Sequence, residues 1–289
     1  MTDKMVFTPR LAQYEMHERE FIMTAKHFVA ISKAVYDYAG IVLSDAKKDM
    51  VYSRVSRCIR RTSSEGFDDY LAIALEPNSN EFIHFVNAIT TNLTSFYREK
   101  HHFDFLEQNI LPTLVEDLQR KRLRVWSAGC STGEEPYTIA MTLKDQIPSY
   151  WDTKILATDL DTNVLATGRE GAYGVDRVEG LAKHIISDYF DTPQEKGDGR
   201  VRVKQALRDM VFFKRLNLLR QWPMKGPFDV IFCRNVVIYF DKPTQKVLFD
   251  RFADMLAPDG HLFIGHSESM YKLTDRFESL GNTVYRKIR

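Results

Sequence analysis

Residues 122–140 read RLRVWSAGCSTGEEPYTIA, and this stretch decides the fold of the chain. A run of strand character leads into a turn that contains Gly129 and Gly133, and a helical pattern follows. Glycine lets the backbone pass close to a ligand, and the first turn of a helix points its N–H groups to the same place. The stretch predicts a ligand site in an α/β domain, although a two-glycine turn alone is equally compatible with a structural role.

Short apolar strands and helical patterns alternate along most of the chain after about residue 120. This alternation predicts a mostly parallel sheet that is covered by helices on both faces. Two strand-like pieces around Gly281 and Asn282 predict an antiparallel end to the sheet. The predicted central strands lie at residues 122–129, 153–159, 210–216, 228–234 and 261–265.

Residues from about 172 to 210 interrupt this alternation. A regular connection in an α/β domain needs only a few residues. The segment contains the turn signal GDGR at 197–200, and the alternating run GRVRVKQ at 199–205 follows. It therefore predicts a small antiparallel β insert.

The amino-terminal part has a different, helical texture. Apolar residues recur mostly at three- to four-residue spacing between Phe21 and Tyr38, and Gly40 is a helix-stop signal. Ser44 and Asp45 are candidate caps for the next helix, and two shorter helical segments follow. We expect an all-helical unit here.

Length and composition support two domains. With 289 residues and 44% hydrophobic content, the chain accommodates an N-terminal helical domain at 1–90 and an α/β domain at 91–289, with a linker at about 91–105. The net charge of +1 excludes a broadly basic nucleic-acid binder. Three cysteines do not make a disulfide framework and favour a reducing compartment. Since the sequence has neither an apolar leader segment nor a run of about 18 apolar residues, we expect a cytoplasmic protein.

Acidic residues open the helix after the glycine turn. Glu134 and Glu135 would repel a phosphate, but they suit a ligand that carries an ammonium or sulfonium charge. The sequence does not decide which of the two glutamates faces the ligand.

Polar side chains follow two further predicted strands. Asp159 ends a strand at a position where a carboxylate accepts both hydroxyls of a ribose. The alternative is capping of the next helix, which we favour for Asp161. Arg234 and Asn235 follow another apolar strand at the edge where ligands of open α/β sheets bind, with an ordinary turn as the alternative.

The predicted linker offers a fourth candidate segment, ITTNLTSFYREKHHF at 89–103. Linkers between domains commonly line clefts, and Arg98 has a guanidinium fork that fits a carboxylate. Taken alone, the segment favours a plain linker with a helix cap.

The chain resembles the S-adenosylmethionine-dependent chemotaxis-receptor glutamate methyltransferases, the CheR family, through four segments in order: TNLTSFYRE, SAGCSTGEEPYTIAM, ATDLD and FCRNVVIYF. The resemblance covers almost the whole chain. The glycine pattern of wider methyltransferases reads Ser127-Ala-Gly129-Cys-Ser131-Thr-Gly133 here, so the generic match is weaker than the family match. The implied fold is a small N-terminal helical domain and a Rossmann-like methyltransferase domain with a mostly parallel sheet and a small antiparallel β insert.

The resemblance implies S-adenosyl-L-methionine as the cofactor, S-adenosyl-L-homocysteine as its product, and no metal. It also implies glutamate methyl esters as the modified product. The cofactor-binding residues implied by the family motifs are Asn92, Thr94, Arg98, Ala128, Gly129, Glu135, Asp159, Asn217, Leu218, Arg234 and Asn235.

A glutamate acceptor needs no general base. Its carboxylate has a reference pKa of about 4.3 and is already an ionised nucleophile at neutral pH. Both reacting charges vanish during the transfer, so a residue that held the carboxylate too tightly would oppose it. We therefore expect Arg98 to orient and screen the acceptor, and Tyr239 to shape the pocket.

Two surfaces are candidates for binding the cytoplasmic domain of a receptor. Arg54, Arg57 and Arg61 share one face of a predicted helix and suit a glutamate-rich receptor segment, although most basic faces are simply solvated. Some family members tether a receptor tail through a β-subdomain, and an exposed strand such as 199–205 can add a peptide to its edge. The alternative role of the insert is to support the cofactor domain. We expect a monomer, with no nucleic-acid partner and no membrane insertion.

Two other functions stay open. One is a methyltransferase that acts on nucleic acid or on another protein group. Methyltransferases with an amine acceptor normally have a polar-Pro-Pro-aromatic loop after the fourth strand, and the segment from Arg234 to Tyr239 lacks it. The other is a non-catalytic, cofactor-binding receptor scaffold, which the complete set of cofactor motifs disfavours.

Overall fold

The computed structural model describes residues 19–77, 79–117, 119–191 and 199–289. A group of helices is followed by a seven-stranded sheet with helices on its faces and by a smaller three-stranded sheet. The α-helices are α1 Ala25–Ala39, α2 Lys48–Thr62, α3 Phe67–Ala74, α4 Asn80–Ile89, α5 His101–Phe105, α6 Leu111–Glu116, α7 Glu134–Lys144, α8 Thr162–Glu170, α9 Lys183–Tyr189, α10 Gln205–Arg208 and α11 Lys242–Met255. The strands are β1 Arg122–Ala128, β2 Asp152–Asp159, β3 Ala172–Gly174, β4 Phe190–Asp191, β5 Arg200–Val203, β6 Val211–Arg215, β7 Phe228–Cys233, β8 Leu256–Ile264, β9 Phe277–Gly281 and β10 Val284–Lys287.

Helices α1 to α4 form the N-terminal part. The hydroxyl of Thr24 caps α1 by accepting from the N–H of His27 at 3.3 Å. Gly40 is the helix stop, as predicted, and adopts the left-handed conformation. The predicted capping of the next helix by Ser44 and Asp45 is wrong, because a separate 3-10 turn, Asp45–Lys47, comes first and α2 begins only at Lys48.

The four helices bury an apolar core of their own. The residues that α2 contributes to this core recur at the three- to four-residue spacing of a helix face. Fully or almost fully buried side chains in this core are Ile31, Val35, Val51, Val55, Ile59, Phe67, Tyr70 and Phe85.

The large sheet has the strand order β6-β2-β1-β7-β8-β10-β9. The first five strands of this order run parallel, and β10 and β9 pair antiparallel at the far end. The sequence prediction of a mostly parallel sheet with an antiparallel end is confirmed. In this arrangement the carboxyl ends of β2, β1 and β7 lie side by side.

Both faces of the sheet are covered. Leu123 and Val125 of β1 pack with α7 on one face, whereas Trp126 and Ala128 pack with α11 on the other. Burying the Phe252 side chain of α11 completely contributes about 1.5–3 kcal/mol. Within the described ranges, the helices are too short or too polar to cross a membrane.

The predicted β insert is present as the three-stranded antiparallel sheet β3-β5-β4. Part of its predicted turn, residues 197 and 198, lies outside the described residues. Strand β5, which comes from the alternating run at 199–205, is the middle strand. The expectation that this run offers a peptide-binding edge is therefore wrong, since β3 and β4 occupy both of its sides.

Candidate active site

A cleft opens between the helical part and the carboxyl ends of four parallel strands. Its walls come from the segment that follows α1, from the linker after α4, and from the loops that follow β1, β2, β6 and β7. The residues predicted from the sequence that line this cleft are Asn92, Thr94, Arg98, Gly129, Glu135, Asp159, Asn217, Leu218, Arg234, Asn235 and Tyr239.

Ala128 is the exception among the predicted cofactor-binding residues. It is the last residue of β1 and is completely buried in the core on the α11 face of the sheet. Its side chain therefore supports the cleft from beneath.

The linker is fastened to the α/β part by Asp161. This carboxylate caps α8 by accepting from the N–H of Asn163 at 2.8 Å, which confirms the predicted cap. It also accepts from the amide of Asn92 at 2.8 Å and from the hydroxyl of Thr90 at 3.0 Å. The hydroxyl of Ser131 donates to the backbone carbonyl of Asn92 at 2.9 Å. Asn92 is thus held at the cleft through both its side chain and its backbone.

The loop after β1 follows the predicted glycine turn. Gly129 has a φ of 88°, and a Cβ added there would lie 2.4 Å from Cγ2 of Val236. A larger residue would be strained by both its backbone and its neighbour. The N–H groups of Gly129 and Cys130 donate to the carbonyl of Thr158 at 2.8 and 2.9 Å, which draws the ends of β1 and β2 together.

Asp159 presents its carboxylate at the end of β2. Its Oδ1 accepts from the N–H of Asp161 and its Oδ2 from that of Ser131, each at 2.9 Å. Burial in the cleft wall raises the pKa of Asp159 to about 6, against the backbone donors, which lower it. A carboxylate oxygen has two acceptor sites, so each oxygen can still accept a ligand hydroxyl.

The two glutamates of the first helix turn have different surroundings. Glu134 is fully buried, accepts from the hydroxyl of Thr132 at 2.6 Å and forms an ion pair with Arg177 of the insert. Glu135 lines the cleft and accepts from the hydroxyl of Ser127 at 2.7 Å. Burial raises the pKa of Glu135, although the nearby guanidinium of Arg234 lowers it. The geometry thus separates the two roles that the sequence left open.

Arg234 is a buried cation with spare donors. Its side chain is about 1% exposed, and its Nη2 donates to the carbonyl of Arg98. The carboxylates of Glu99 and Glu135 lie 3.7 Å away, and the ring centroid of Phe103 is 5.2 Å from the guanidinium carbon. Its Nε and Nη1 have no hydrogen-bond partner among the described residues. Buried donors without partners indicate that a ligand group completes this site.

Arg98 and Tyr239, which were assigned to the methyl acceptor from the sequence, both line the cleft. Arg98 is partly exposed, and its Nη1 donates to the carbonyl of Leu93 at 2.7 Å. The carbonyl of Tyr239 accepts from the N–H of Val42 at 2.9 Å, which joins the loop after β7 to the helical part. The tyrosine ring is half-buried and lines the cleft.

The basic face of α2 is only partly available to a partner. The guanidinium of Arg54 turns inward and donates to the carbonyls of Ile89 at 2.7 Å and Thr90 at 2.5 Å. Arg61 forms an ion pair with Glu81 of α4. Arg57 is exposed, and the contact described for it is a long one, 3.4 Å, to a carbonyl of its own helix.

Sequence reasoning missed two carboxylates that hold the loop after β7. Glu99 accepts from the amide of Asn235 at 3.2 Å and from Nδ1 of His266 at 2.7 Å. Glu268 accepts from the N–H of Asn235 at 2.9 Å. The signal was available for Glu268, because it follows β8 at the same sheet edge where Arg234 follows β7.

Glu99 also belongs to a group of possible metal ligands. Glu99, His101 and His102 each place one ligand atom within 4.8 Å of the others. Burial lowers the pKa of His102 to about 4, so its ring is neutral at pH 7. The guanidinium of Arg234 lies 3.7 Å from the same Glu99 carboxylate and opposes a second cation there.

The cleft lining fits S-adenosyl-L-methionine. Asp159 suits the hydroxyls of a ribose, Glu135 suits an ammonium or sulfonium group, and the unpartnered donors of Arg234 suit an acceptor such as a carboxylate. The side-chain amide of Asn217, one of the implied cofactor-binding residues, donates to the carbonyl of Tyr38 at 2.7 Å, which fixes this part of the cleft wall.

Comparisons with known proteins agree with this fit. Residues 26–90 match the CheR methyltransferase all-alpha domain, and residues 92–286 match the CheR methyltransferase SAM-binding domain. The chain is 46% identical over 279 residues to the chemotaxis protein methyltransferase of Escherichia coli, covering 94% of this chain and 93% of that protein.

Two further relatives show a similar degree of likeness. The chemotaxis protein methyltransferase of Salmonella typhimurium is 46% identical over 267 residues, with 90% of this chain and 89% of that protein covered. That of Borreliella burgdorferi is 41% identical over 256 residues, with 86% and 89% covered. These matches and the S-adenosylmethionine-type cleft establish that the chain belongs to the CheR methyltransferase family.

Proposed function

We propose that this chain transfers the methyl group of S-adenosyl-L-methionine to glutamate side-chain carboxylates of chemotaxis receptors, forming methyl esters for sensory adaptation. The observation that carries the proposal is one cleft that combines Asp159, Glu135 and the spare donors of Arg234 with Arg98 and Tyr239. The relatives are named chemotaxis protein methyltransferases, which supports receptors as the protein substrate.

The cofactor, when bound, supplies an electrophilic methyl group on a sulfonium. Asp159 would accept hydrogen bonds from its ribose, and Glu135 would face its positive charge. Asn92 and Thr94 from the linker, with Asn217 and Leu218 after β6, would complete the wall. These residues bind and orient the cofactor. Orientation lowers the activation barrier because the entropic cost of bringing the reactants together has been met on binding.

The cleft lining bears on whether the methyl acceptor is a carboxylate or an amine, because an amine needs a general base. The described lining contains no histidine. The carboxylates of Asp159 and Glu135 accept hydrogen bonds from the chain and are assigned here to the ribose and to the positive charge of the cofactor. An amine acceptor would have to lose a proton to a base, whereas an ionised glutamate requires none. This chemistry favours ester formation over amine methylation.

Arg98 has the properties of an orienting residue. Its guanidinium is partly exposed and one of its nitrogens is held by the carbonyl of Leu93. Solvent screens such a cation, so it attracts the acceptor without stabilising the charged reactant strongly. Because the negative charge of the acceptor disappears during transfer, a weaker hold favours the transition state over the ground state.

The decisive experiment is transfer of labelled methyl from S-adenosyl-L-methionine to receptor-containing membranes, followed by alkaline treatment. We expect label that base releases as methanol, since methyl esters hydrolyse and methylated amines do not. Base-stable label would overturn the glutamate proposal in favour of an amine acceptor. Cofactor binding without any label would support the scaffold function instead.

The β insert is the proposed tether for a receptor tail. Its outer strands β3 and β4 each leave one side unpaired by the described strands, so these edges, and not β5, are the places for peptide addition. Calorimetric titration of the whole protein with a receptor carboxyl-terminal peptide tests this. We expect one-to-one binding that a scrambled peptide does not show. Equal binding of both peptides, or of neither, would leave the insert with a supporting role.

A further inference from the structure

Glu268 is a buried carboxylate outside the predicted set of site residues. It follows β8, is 5% exposed, and lies at the carboxyl end of the sheet beside the loop that follows β7. Within the described ranges it forms no ion pair. Burial raises its pKa, and the surrounding backbone N–H groups oppose this rise. A buried carboxylate without a cation needs several donors to stay in place, because its charge has lost its water.

Those donors come from two strand ends. Its Oε2 accepts from the N–H of Asn235 at 2.9 Å and from that of Gly265 at 2.5 Å, and its Oε1 accepts from the N–H of Ile238 at 3.2 Å. One side chain thus joins the end of β8 to the first residues after β7. Hydrogen bonds to an ionised acceptor are about twice as strong as those between neutral groups.

The loop that Glu268 holds carries cleft residues. Asn235, Val236 and Tyr239 line the cleft, and the two donors to Glu268 from this loop are Asn235 and Ile238. Asn235 has a φ of 58°, a left-handed conformation that costs free energy for a residue other than glycine. The bond from its N–H to Glu268 stabilises this conformation.

Close packing leaves this arrangement little freedom. A Cβ added at Gly265 would lie 2.5 Å from Nδ2 of Asn235 and 2.9 Å from Oε2 of Glu268. The Asn235 side chain is directed towards Glu99, to which its amide donates at 3.2 Å. Glu268, Gly265 and Asn235 are thus packed against one another, so we expect a change at Glu268 to be felt at Asn235.

We propose that Glu268 is a positioning residue for the methyl-transfer site, which fixes the loop from Asn235 to Tyr239 and thereby presents Asn235 to the cofactor and Tyr239 to the methyl acceptor. Glu268 does not touch either reactant itself. This assignment rests on the proposed function only for the identity of the acceptor, because the affinity for S-adenosyl-L-homocysteine is measurable without one.

The test compares Glu268→Gln with a variant of a largely buried carboxylate near the opposite end of β7. Glutamine keeps the volume but replaces one acceptor oxygen by an NH2 group, which must face a backbone N–H. We expect the Kd for S-adenosyl-L-homocysteine, measured by calorimetry, to rise about tenfold, and kcat to fall about tenfold, the usual scale for one buried charged hydrogen bond.

The control is Asp229→Asn. Asp229 lies near the start of β7, the opposite end of the strand, where it accepts from the N–H of Arg124 at 2.7 Å and pairs with Arg120. We expect this variant to unfold at a lower temperature yet to bind S-adenosyl-L-homocysteine within about twofold of the wild type. If it weakened binding as much as Glu268→Gln does, the effect would be general destabilisation and the proposal would be wrong.

Two further outcomes decide the case. Glu268→Asp keeps the carboxylate, but its side chain is one methylene shorter. We expect its Kd for S-adenosyl-L-homocysteine and its kcat to lie between those of the wild type and of Glu268→Gln. If both variants folded and bound S-adenosyl-L-homocysteine as the wild type does, or if neither folded, Glu268 would be a residue of the scaffold and the proposal would be overturned. Failure of the wild type to methylate receptors would count against the proposed function alone.

Discussion

The side-chain amide of Asn92 donates a 2.8 Å hydrogen bond to Asp161, the residue that caps α8. Asp161 is 3% exposed, so water competes little for this bond. One carboxylate thereby serves a helix of the cofactor domain and the linker that lines the cleft. The linker is held in place by the fold of the α/β domain as well as by the helices that precede it.

Asp161→Ala tests this double role. The change removes the cap of α8 and the bonds that the amide of Asn92 and the hydroxyl of Thr90 donate to Asp161, although Thr90 can still donate to the carbonyl of Asn87 at 2.8 Å. We expect the free energy of unfolding to fall by about 2 kcal/mol and the affinity for S-adenosyl-L-homocysteine to fall several-fold. Urea unfolding and calorimetry measure the two effects. Asp161→Asn, which keeps one capping oxygen, should lose less of both; unchanged affinity in the alanine variant would show that the linker does not depend on Asp161.

The affinity for the cofactor product should depend on pH through Asp159. Burial raises its pKa to about 6, so the carboxylate becomes protonated as the pH falls through that value and accepts ribose hydroxyls less well. We expect the affinity for S-adenosyl-L-homocysteine to decrease from about pH 7 to about pH 5, measured by calorimetry at several pH values. Asp159→Asn should bind more weakly at neutral pH and show a flatter profile. A wild-type profile as flat as that of the variant would contradict this role.

The same group has the opposite effect on folding. A carboxyl group whose pKa is higher in the folded protein than in the unfolded chain binds its proton more tightly when folded. Above about pH 6 the ionised carboxylate of Asp159 lowers the free energy of unfolding. This loss becomes smaller as the pH falls from about 6 towards about 4, because the folded protein takes up a proton there. The unfolding free energy of the wild type relative to that of Asp159→Asn should therefore increase as the pH falls over this range. Urea unfolding of both proteins at matched pH values measures it.

Removing the orienting cation should slow turnover. With Arg98→Ala we expect kcat to fall at least about tenfold at saturating receptor and cofactor, because the acceptor oxygen is no longer directed. Arg98→Lys keeps the charge without the planar fork and should recover part of the rate. Tyr239→Phe is expected to stay within about threefold of the wild type, since the ring and not the hydroxyl shapes the pocket. Unchanged turnover in the alanine variant would exclude the orienting role.

The sequence identified much of the site because parallel strands bring their carboxyl ends together. Asp159 and Arg234 are far apart in the chain, yet each follows an apolar strand, and one rule placed both at the same edge. The same rule applies to Glu268, which follows β8 at the same edge of the sheet. This strand was predicted from the sequence, but the polar residues that follow it were not considered. The linker residues follow no predicted strand, so this rule does not apply to them. They were assigned to the site through the resemblance to the family's motifs.

Other features depend on contacts that local patterns do not contain. The periodicity of α2 identifies a basic face, but it does not show that the guanidinium of Arg54 meets the carbonyl of Ile89 at the end of α4. Similarly, the sequence predicts β5 as an exposed strand. Its partners β3 and β4 are only three and two residues long, which is too short for a recognisable strand pattern. Neighbouring helix residues such as Glu134 and Glu135 point about 100° apart, and only the position of Arg177 shows which one turns towards the insert.

The orientation of Arg54 changes how receptor docking on α2 should be tested. A variant at Arg54 would disturb the end of α4 as well as the charge, so Arg57, which is exposed, is the sharper choice. With Arg57→Glu we expect the KM for receptor to rise several-fold and the affinity for S-adenosyl-L-homocysteine to stay within about twofold. Raising the salt concentration should weaken receptor methylation by the wild type more than by this variant, because ions screen exposed charges. Lys246→Glu makes the same charge change on the exposed side of α11 and is the control. Equal effects of both variants would mean that net charge, and not the basic face of α2, governs the encounter with the receptor.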